Sequence, residues 1–452
     1  MKNISVNVMK DSPIKVIIRV GMPLIIVSLI SVLVTILDQN IKSAQCVEIF
    51  KISGFLAAFT GLIATICANV AISAWIKYSN YFLNGSEERN KYFVNSIYSI
   101  LFFQLLMTVA TICFSDQIMQ FLNVPAEWYA ATKQYFIVLM AANLLTSTGS
   151  YFVSLMNGIG NVTEIFIIHL INSCGLIIWA LLFLIVLKLG TIGVALYLGA
   201  NAALIIITSL TILRKKKILI KPRLVKPDLK IIFGNIKYGL ITAVDTVFCS
   251  VGYILVTMQT NKYLSPDYIQ VISINIPLQL PLNALGDSVI AFIPPNYNEG
   301  EKGRVKSFLK ISFIIAVVYG IICAVLYSTI GNYYFSKLFT DGNVVKYGES
   351  FWMWYGIGLA FCSVIYILKY FFNATGYAKL GALSGIGEFV GHIICAYYII
   401  PNHGVIGNML GHPLGWAFGA VILIILYLCF AKKIYNKCQY NNGRMDLCEK
   451  DE

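Results

Sequence analysis

Apolar residues run along this chain in long blocks, with polar residues gathered in short joints between them. Twelve blocks stand out, at roughly 15–38, 52–78, 93–115, 129–156, 163–187, 190–213, 232–260, 268–293, 307–330, 350–372, 381–400 and 405–431. A helix needs about 20 residues to cross a bilayer, and most blocks reach that length. The pattern predicts an all-α integral membrane protein with twelve transmembrane helices. The strongest interruption is LRKKKILIKPRLVKPDLK, 213–230, with eight Lys or Arg against one Asp and two prolines. Basic loops stay in the cytoplasm. Lys2, Lys10, Lys15 and Arg19 at one end, and Lys432, Lys433 and Lys437 at the other, carry the same sign. Twelve spans place both termini and the basic loop on one side, so cytoplasmic termini and a multi-pass protein of the cell (plasma) membrane are expected.

That loop divides the blocks six and six. NGSEER (84–89) and NEGEKGR (298–304) each follow a second span, with Gly85/Gly300 and Arg89/Arg304 both 215 residues apart. YFVSLMNGIG (151–160) and LKYFFNATG (368–376) end the fourth span of each half, with Asn157/Asn373 and Gly160/Gly376 both 216 apart. A nearly constant offset across two motifs reads as an internal repeat, which in membranes is a transporter signature with substrate held between the halves. The expected organisation is an N-terminal lobe, 1–213, a basic linker, 214–231, a C-terminal lobe, 232–435, and a polar tail, 436–452.

Composition agrees. The chain is 58% hydrophobic and 12% charged, against about a quarter charged in soluble domains. The formal charge of +13 flanks the apolar blocks, so it reads as topology rather than as nucleic-acid binding. No short basic leader with a small-residue cleavage site is visible, so the first block is expected to stay in the membrane. Eleven cysteines include no CxxC or Cys/His ligand spacing, against both a metal site and a disulfide framework. Four histidines, His169, His392, His403 and His412, form no ligand motif, so a membrane enzyme is not expected.

Within the blocks, polar residues recur at spacings of 3, 4 and 7, which share a helix face. The first span carries Ser28, Ser31, Thr35 and Asp38; the second Thr65, Asn69 and Ser73; the fourth Asn143, Ser147, Ser150, Ser154 and Asn157. The eighth carries Asn275, Gln279, Asn283 and Asp287, interrupted by Pro277 and Pro281. Such residues either join helices by hydrogen bonds or line an aqueous cavity. Charges at depth narrow the choice, because each is costly unless paired or solvated. Asp38 continues a polar stripe or sits at the outer interface. Lys369 shares a face with Tyr366, Tyr370 and Asn373, or snorkels to the cytoplasm. Glu388 and His392, four apart, form a proton-relay pair, or Glu388 neutralises Lys369. Asp245 comes early in the seventh span, near the cytoplasmic surface.

The chain resembles the multidrug and toxic compound extrusion (MATE) family over roughly residues 12–430. The resemblance rests on Pro23 with Asp38 fifteen residues on, NGSEER, NGIGNVT, LGTIGVALYLGAN (189–201), NATGYAK and SGIGEFVG. It implies a twelve-helix antiporter of two pseudo-symmetric six-helix lobes. Such a protein exports small amphipathic or cationic compounds while Na⁺ or H⁺, the only cofactor-like species expected, flows inward. By the same resemblance Asp38 is the cation-coupling acid. The fifth-helix positions where the family often carries Asn or Asp are Leu176 and Ala180 here, with Asn172 the nearest amide, and Asn172 and Asn201 are expected to complete the cation-coupling set. The substrate cavity is expected from Ser31, Thr35, Asn69, Asn143, Ser147, Gln279, Asn283, Tyr366, Lys369 and Tyr370. The partners expected are the small-molecule substrate and the bilayer, with the protein a monomer. In the second half the pattern departs, because Lys369 stands near the place where some members carry a tenth-helix acid. A lipid-linked oligosaccharide flippase of the same architecture is the alternative. Its cavity needs several Arg or Lys, and only Lys369 is deep and basic.

Overall fold

The structure, a computed structural model, describes residues 9–79, 86–158, 162–215, 225–274 and 277–438. Regular structure in these residues is helical throughout. The first half contains α1 (Met22–Cys46), α2 (Ile49–Ser79), α3 (Ser86–Cys113), α4 (Ala126–Ala142), α5 (Thr146–Gly158), α6 (Val162–Ala180) and α7 (Gly190–Lys215). The second contains α8 (Leu229–Thr242), α9 (Val244–Tyr263), α10 (Pro266–Ile272), α11 (Leu280–Asn298), α12 (Lys302–Leu338), α13 (Gly342–Ala374), α14 (Ala378–Ile394) and α15 (Gly411–Lys437). Ten helical segments among the described residues are long and apolar enough to span a membrane, and the pair α8 and α9 supplies an eleventh. Large apolar side chains such as Leu33 and Leu37 lie 61% and 54% exposed on α1, a liability in water but the normal lipid-facing surface of a membrane helix.

Three of the predicted spans are broken. The eighth, read as 268–293, is α10 followed by α11, with Ser273, Ile274, Pro277, Leu278 and Gln279 outside both helices. Pro281 lies in the first turn of α11, where its missing N–H costs nothing, whereas the same ring inside a continuous helix would remove a bond. The fourth span breaks at Asn143–Leu145, with the Thr146 hydroxyl donating to Asn143 Oδ1 at 3.3 Å. The seventh bends by 60° between α8 and α9. There Gly239 packs on α2 so closely that a Cβ would lie 2.6 Å from Val70 Cα. The Thr242 hydroxyl donates to the Gly239 carbonyl at 3.0 Å and meets Ser73 at 3.2 Å.

Within the first half, α1 packs on α6, α2 on α3 and α5, and α7 on α4, α5 and α6. Within the second, α12 packs on α13, α14 on α15 and α9 on α14. Across the halves α2 meets α8, α9 and α10, and α1 meets α11. Hydrogen bonds join them near both ends. Tyr334 of α12 donates to Gln39 of α1 at 2.7 Å, and Asn261 of α9 donates to the Leu122 carbonyl at 2.8 Å. Asn235 of α8 donates to Ser99 of α3 at 3.1 Å.

Asp287 of the eighth-span stripe has no described side chain; of the repeated motifs, Gly85 and Gly160 lie outside the described residues, while Asn157 and Arg89 have no described side chain. Their second-half counterparts are ordered by one device. Gly300 and Gly376 take φ of 78° and 81°, a left-handed turn that glycine adopts without cost. Arg304 then donates to Asn296 Oδ1 at 2.8 Å and to the Asp11 carbonyl at 2.7 Å, tying the N-terminal segment to α11 and α12.

Asp228 caps α8. Its carboxylate accepts from the Lys230 and Ile231 amides and pairs with Lys91 of α3 at 2.7 Å. Hydrogen bonding from Lys91 holds this carboxyl below the usual carboxylate range. A depressed folded value means stabilisation that is complete at neutral pH and is lost as pH falls through it. Melting of the detergent-solubilised protein should therefore decline below about pH 4, and Asp228→Asn should flatten that limb.

Candidate functional site: buried charges in both halves

Asp38 is 6% exposed although α1 turns much of its surface outward. The burial has a partner on each side. Tyr197 of α7, itself fully buried, donates its hydroxyl to Asp38 Oδ1 at 2.6 Å, and Lys42 Nζ lies 2.6 Å from Asp38 Oδ2. One turn beyond Tyr197 on α7, Asn201 donates its amide to Asn172 Oδ1 of α6 at 2.6 Å. That approach needs Gly175, where a Cβ would sit 2.6 Å from Asn201 Oδ1. The same Asn201 Oδ1 is buried with no hydrogen-bond partner, a neutral oxygen suited to a cation or a donor ligand. The tertiary structure thus gathers Asp38, Asn172 and Asn201 along one face of α7.

Tyr197 and Lys42 are the residues that sequence reasoning missed. Lys42 had a signal: Asp38 and Lys42 stand at i and i+4, the spacing of a helical ion pair. Tyr197 had none beyond being an aromatic in an apolar block.

The polar stripes divide. Ser31 and Thr35 donate to the Val27 and Ser31 carbonyls of their own helix at 3.1 and 2.9 Å, and Asn69 to Thr65 at 3.0 Å. Such back-bonding satisfies the side chain without a partner helix. All three are half-buried. Ser147 differs: it is buried and donates to Gln104 of α3, which makes it a helix-to-helix bond. Asn143 lies at the break after α4 rather than on a continuous face with Ser147.

In the second half the Lys369 ammonium of α13 pairs with Asp245 of α9. Asp245 is therefore the acid that meets Lys369, and it lies next to the bend that opens α9. Glu388 of α14 is buried and accepts from the Cys249 thiol at 2.8 Å. His392, one turn on, is fully buried with neither ring nitrogen hydrogen-bonded. Its ring lies among Tyr253 and His412 at 5.8 and 6.1 Å. No hydrogen bond joins Glu388 to His392, because His392 is turned into a slot between Gly252 and Gly415, where a Cβ would approach the imidazole to 2.9 and 2.7 Å. Tyr366 and Tyr370 stack at 6.4 Å, with Tyr370 lying on Gly286 of α11. Gln279, at the start of α11, accepts from Tyr355 at 3.5 Å, while Asn283 is half-buried on the same helix.

Glycines set these distances. Gly387 and Gly391 of α14 face Gly419 and Gly415 of α15, with added Cβ atoms 3.0 and 2.8 Å from the opposing Cα. Small residues four apart let two membrane helices touch along their backbones.

Residues 242–398 match the MatE family model. No curated protein matches the chain significantly in sequence. Solved structures match across nearly the whole chain. An inward-facing multidrug resistance MATE transporter of the MOP superfamily aligns with a TM-score of 0.75 at 12% identity, covering 94% of this chain and 99% of that one. An outward-facing MATE transporter of the same superfamily gives 0.71 at 16%, covering 95% and 98%. A eukaryotic MATE transporter gives 0.73 at 14%, covering 94% and 98%. The fold shared with them is the twelve-helix MATE fold.

Proposed function

We propose that the chain is a MATE-family transporter that exports small amphipathic or cationic compounds in exchange for inward Na⁺ or H⁺, with Asp38 as the coupling carboxylate. The observation that carries this reading is the burial of Asp38 inside a membrane helix against Tyr197 of α7, one turn from the Asn201 that bonds Asn172. A buried carboxylate is costly unless a positive charge accompanies it, so an ion that leaves Asp38 on one side and returns from the other biases which packing of the two halves is stable. Asn201, one turn from Tyr197 on α7, offers a neutral oxygen in its unpartnered Oδ1.

Substrate is assigned to the face of the second half that carries Tyr366, Tyr370 and Gln279, with Ser31, Thr35 and Asn69 completing the cavity from the first. Planar cations are held by stacking on tyrosine rings. Division at the 214–231 linker, a monomer in the plasma membrane and cytoplasmic termini complete the proposal. A flippase for pyrophosphate-linked lipids is disfavoured, since Lys42 and Lys369 both carry a carboxylate already.

The test is counter-flow in proteoliposomes. Wild-type protein loaded against a fluorescent organic cation should move the dye when a Na⁺ or H⁺ gradient is imposed. Dye that stays put under both gradients removes the exporter reading.

A further inference from the structure

A groove on the bilayer-facing side of the second half runs between α12 and α15 over α13. It encloses about 600 Å³, lined by Leu309 and Phe313 of α12, Leu368 of α13, and Ile424 and Tyr427 of α15. Its rim is lipid-facing, with Ile314 and Ile424 lying 51% and 40% exposed. Towards the start of α12 the lining changes to Lys306 and Lys310, one turn apart on the same helix face. Both lysines are exposed, and neither pairs with a carboxylate among the described residues. Lys306 Nζ sits over the Tyr435 ring at 4.9 Å, and the Tyr427 and Tyr435 hydroxyls meet at 3.3 Å. That contact uses one of two hydroxyl protons and leaves the other free to be donated.

We propose that this groove binds one phospholipid with an anionic headgroup, its phosphate held between the Lys306 and Lys310 ammonium groups and an acyl chain laid along Leu309, Phe313, Leu368 and Ile424. Charge and depth select the occupant. Lys310 stands eight residues into α12, about 12 Å along the axis, in a helix apolar enough to span the membrane. An ammonium carried that far towards hydrocarbon needs water or an anion at its head. Two positive charges a turn apart also repel each other, and a phosphate between them turns that repulsion into attraction. Basic pockets between membrane helices hold anionic lipid headgroups in this way. A zwitterionic lipid offers the same phosphate but brings a cation of its own beside the lysines.

Basic flanks of membrane helices are ordinary, and the groove is what sets these two apart. Lys432 and Lys433 stand on the same end of the molecule, close to the Tyr435 that Lys306 covers, yet they line no cleft. The groove lies wholly within the second half, away from the contacts of α8, α9, α10 and α11 with the first. Leu368, its floor, immediately precedes Lys369 on α13, so the occupant rests on the helix that carries the ion pair with Asp245.

The experiment titrates the purified full chain in mild detergent with phosphatidylglycerol, phosphatidylcholine or glycerol phosphate, counting bound molecules by native mass spectrometry and reading thermal unfolding of the same samples. Wild type should hold one phosphatidylglycerol more tightly than phosphatidylcholine and melt higher with it. Each lysine near a headgroup contributes about fivefold, so Lys306→Gln/Lys310→Gln should weaken phosphatidylglycerol binding about 25-fold and erase the preference. Lys432→Gln/Lys433→Gln removes the same charge from outside the groove and should leave the preference in place. Ile424→Trp fills the apolar part, keeps both lysines and should also weaken binding. Equal affinity of wild type for the two lipids would overturn the proposal. So would equal losses in the two lysine pairs, which would mark diffuse surface attraction. Glycerol phosphate that competes as well as the lipid, or full binding by Ile424→Trp, would show that no acyl chain lies in the groove. Should Ile424→Trp fail to fold, the exposed lysine variants and the glycerol phosphate competition decide without it.

Discussion

Asp38→Asn is expected to abolish gradient-driven export, lowering the driven rate by about tenfold or more, equivalent to at least ~1.4 kcal/mol of coupling, while the protein remains folded. The geometry separates the two effects. An asparagine oxygen still accepts the Tyr197 hydroxyl that lies 2.6 Å from Oδ1, so the contact between α1 and α7 survives. Lys42 loses its counter-charge, but its side chain is 18% exposed and can carry its ammonium to water on a long apolar stem. The stability cost should therefore be about 1 kcal/mol. Asp38→Ala should cost about 1–3 kcal/mol, because it also leaves the buried Tyr197 hydroxyl unpaired. Asp38→Asn/Lys42→Met discriminates further. Replacing both members of an ion pair by uncharged groups is often neutral or stabilising, so the double variant should recover the Tm of wild type yet still fail to couple. Driven dye export and melting, measured on the same preparations, check all three. Export by Asp38→Asn at the wild-type rate would move the coupling role to another acid.

The second large effect belongs to Gly385→Ala. Gly385 of α14 lies directly on the backbone of α9, where an added Cβ would stand 2.9 Å from the Asp245 carbonyl carbon and 3.1 Å from its Cα. Backbone cannot rotate out of the way as a flexible side chain does, so the two helices must part. Overpacking of this kind typically costs 1–3 kcal/mol. The displacement also falls on Asp245, whose carboxylate meets Lys369 from the other side. Loss of stability should therefore come with altered substrate handling, not stability alone. Gly303→Ala is the control, since nothing lies within 4 Å of its added Cβ and its place inside α12 should make the change neutral or stabilising by up to about 1 kcal/mol. Melting temperatures should fall clearly for Gly385→Ala and stay level or rise for Gly303→Ala. Equal melting of the two would mean that α9 and α14 do not meet along this line.

Much of the architecture could be read before any coordinates. Apolar segments, the basic joint at 213–230 and the paired motifs follow from hydropathy and spacing, which accumulate along the chain and do not depend on what each helix touches. The breaks were partly legible. Pro277 and Pro281 announced an opening in the eighth span, whereas the 60° bend before Val244 carries no proline and arises where Gly239 docks on Val70. Ser147 shows the limit for polar stripes. Its spacing matched a cavity face, yet it bonds to Gln104, because a stripe records periodicity and not which neighbour the face meets.

The sequence by itself determined the membrane class, the apolar segments and the acids and lysines carried into them, since transfer into a bilayer is a local sum over side chains. One of the two charge pairs was also within its reach: Lys42 stands a single turn from Asp38, a relation fixed by helix geometry alone. Which base meets Asp245, and that Asn172 meets Asn201, was decided only by tertiary structure. Those meetings depend on the rotation and depth of each helix against its neighbours, and that register is set by close approaches at Gly175, to side chains of α7, and at Gly385, to the backbone of α9, which hydropathy does not encode.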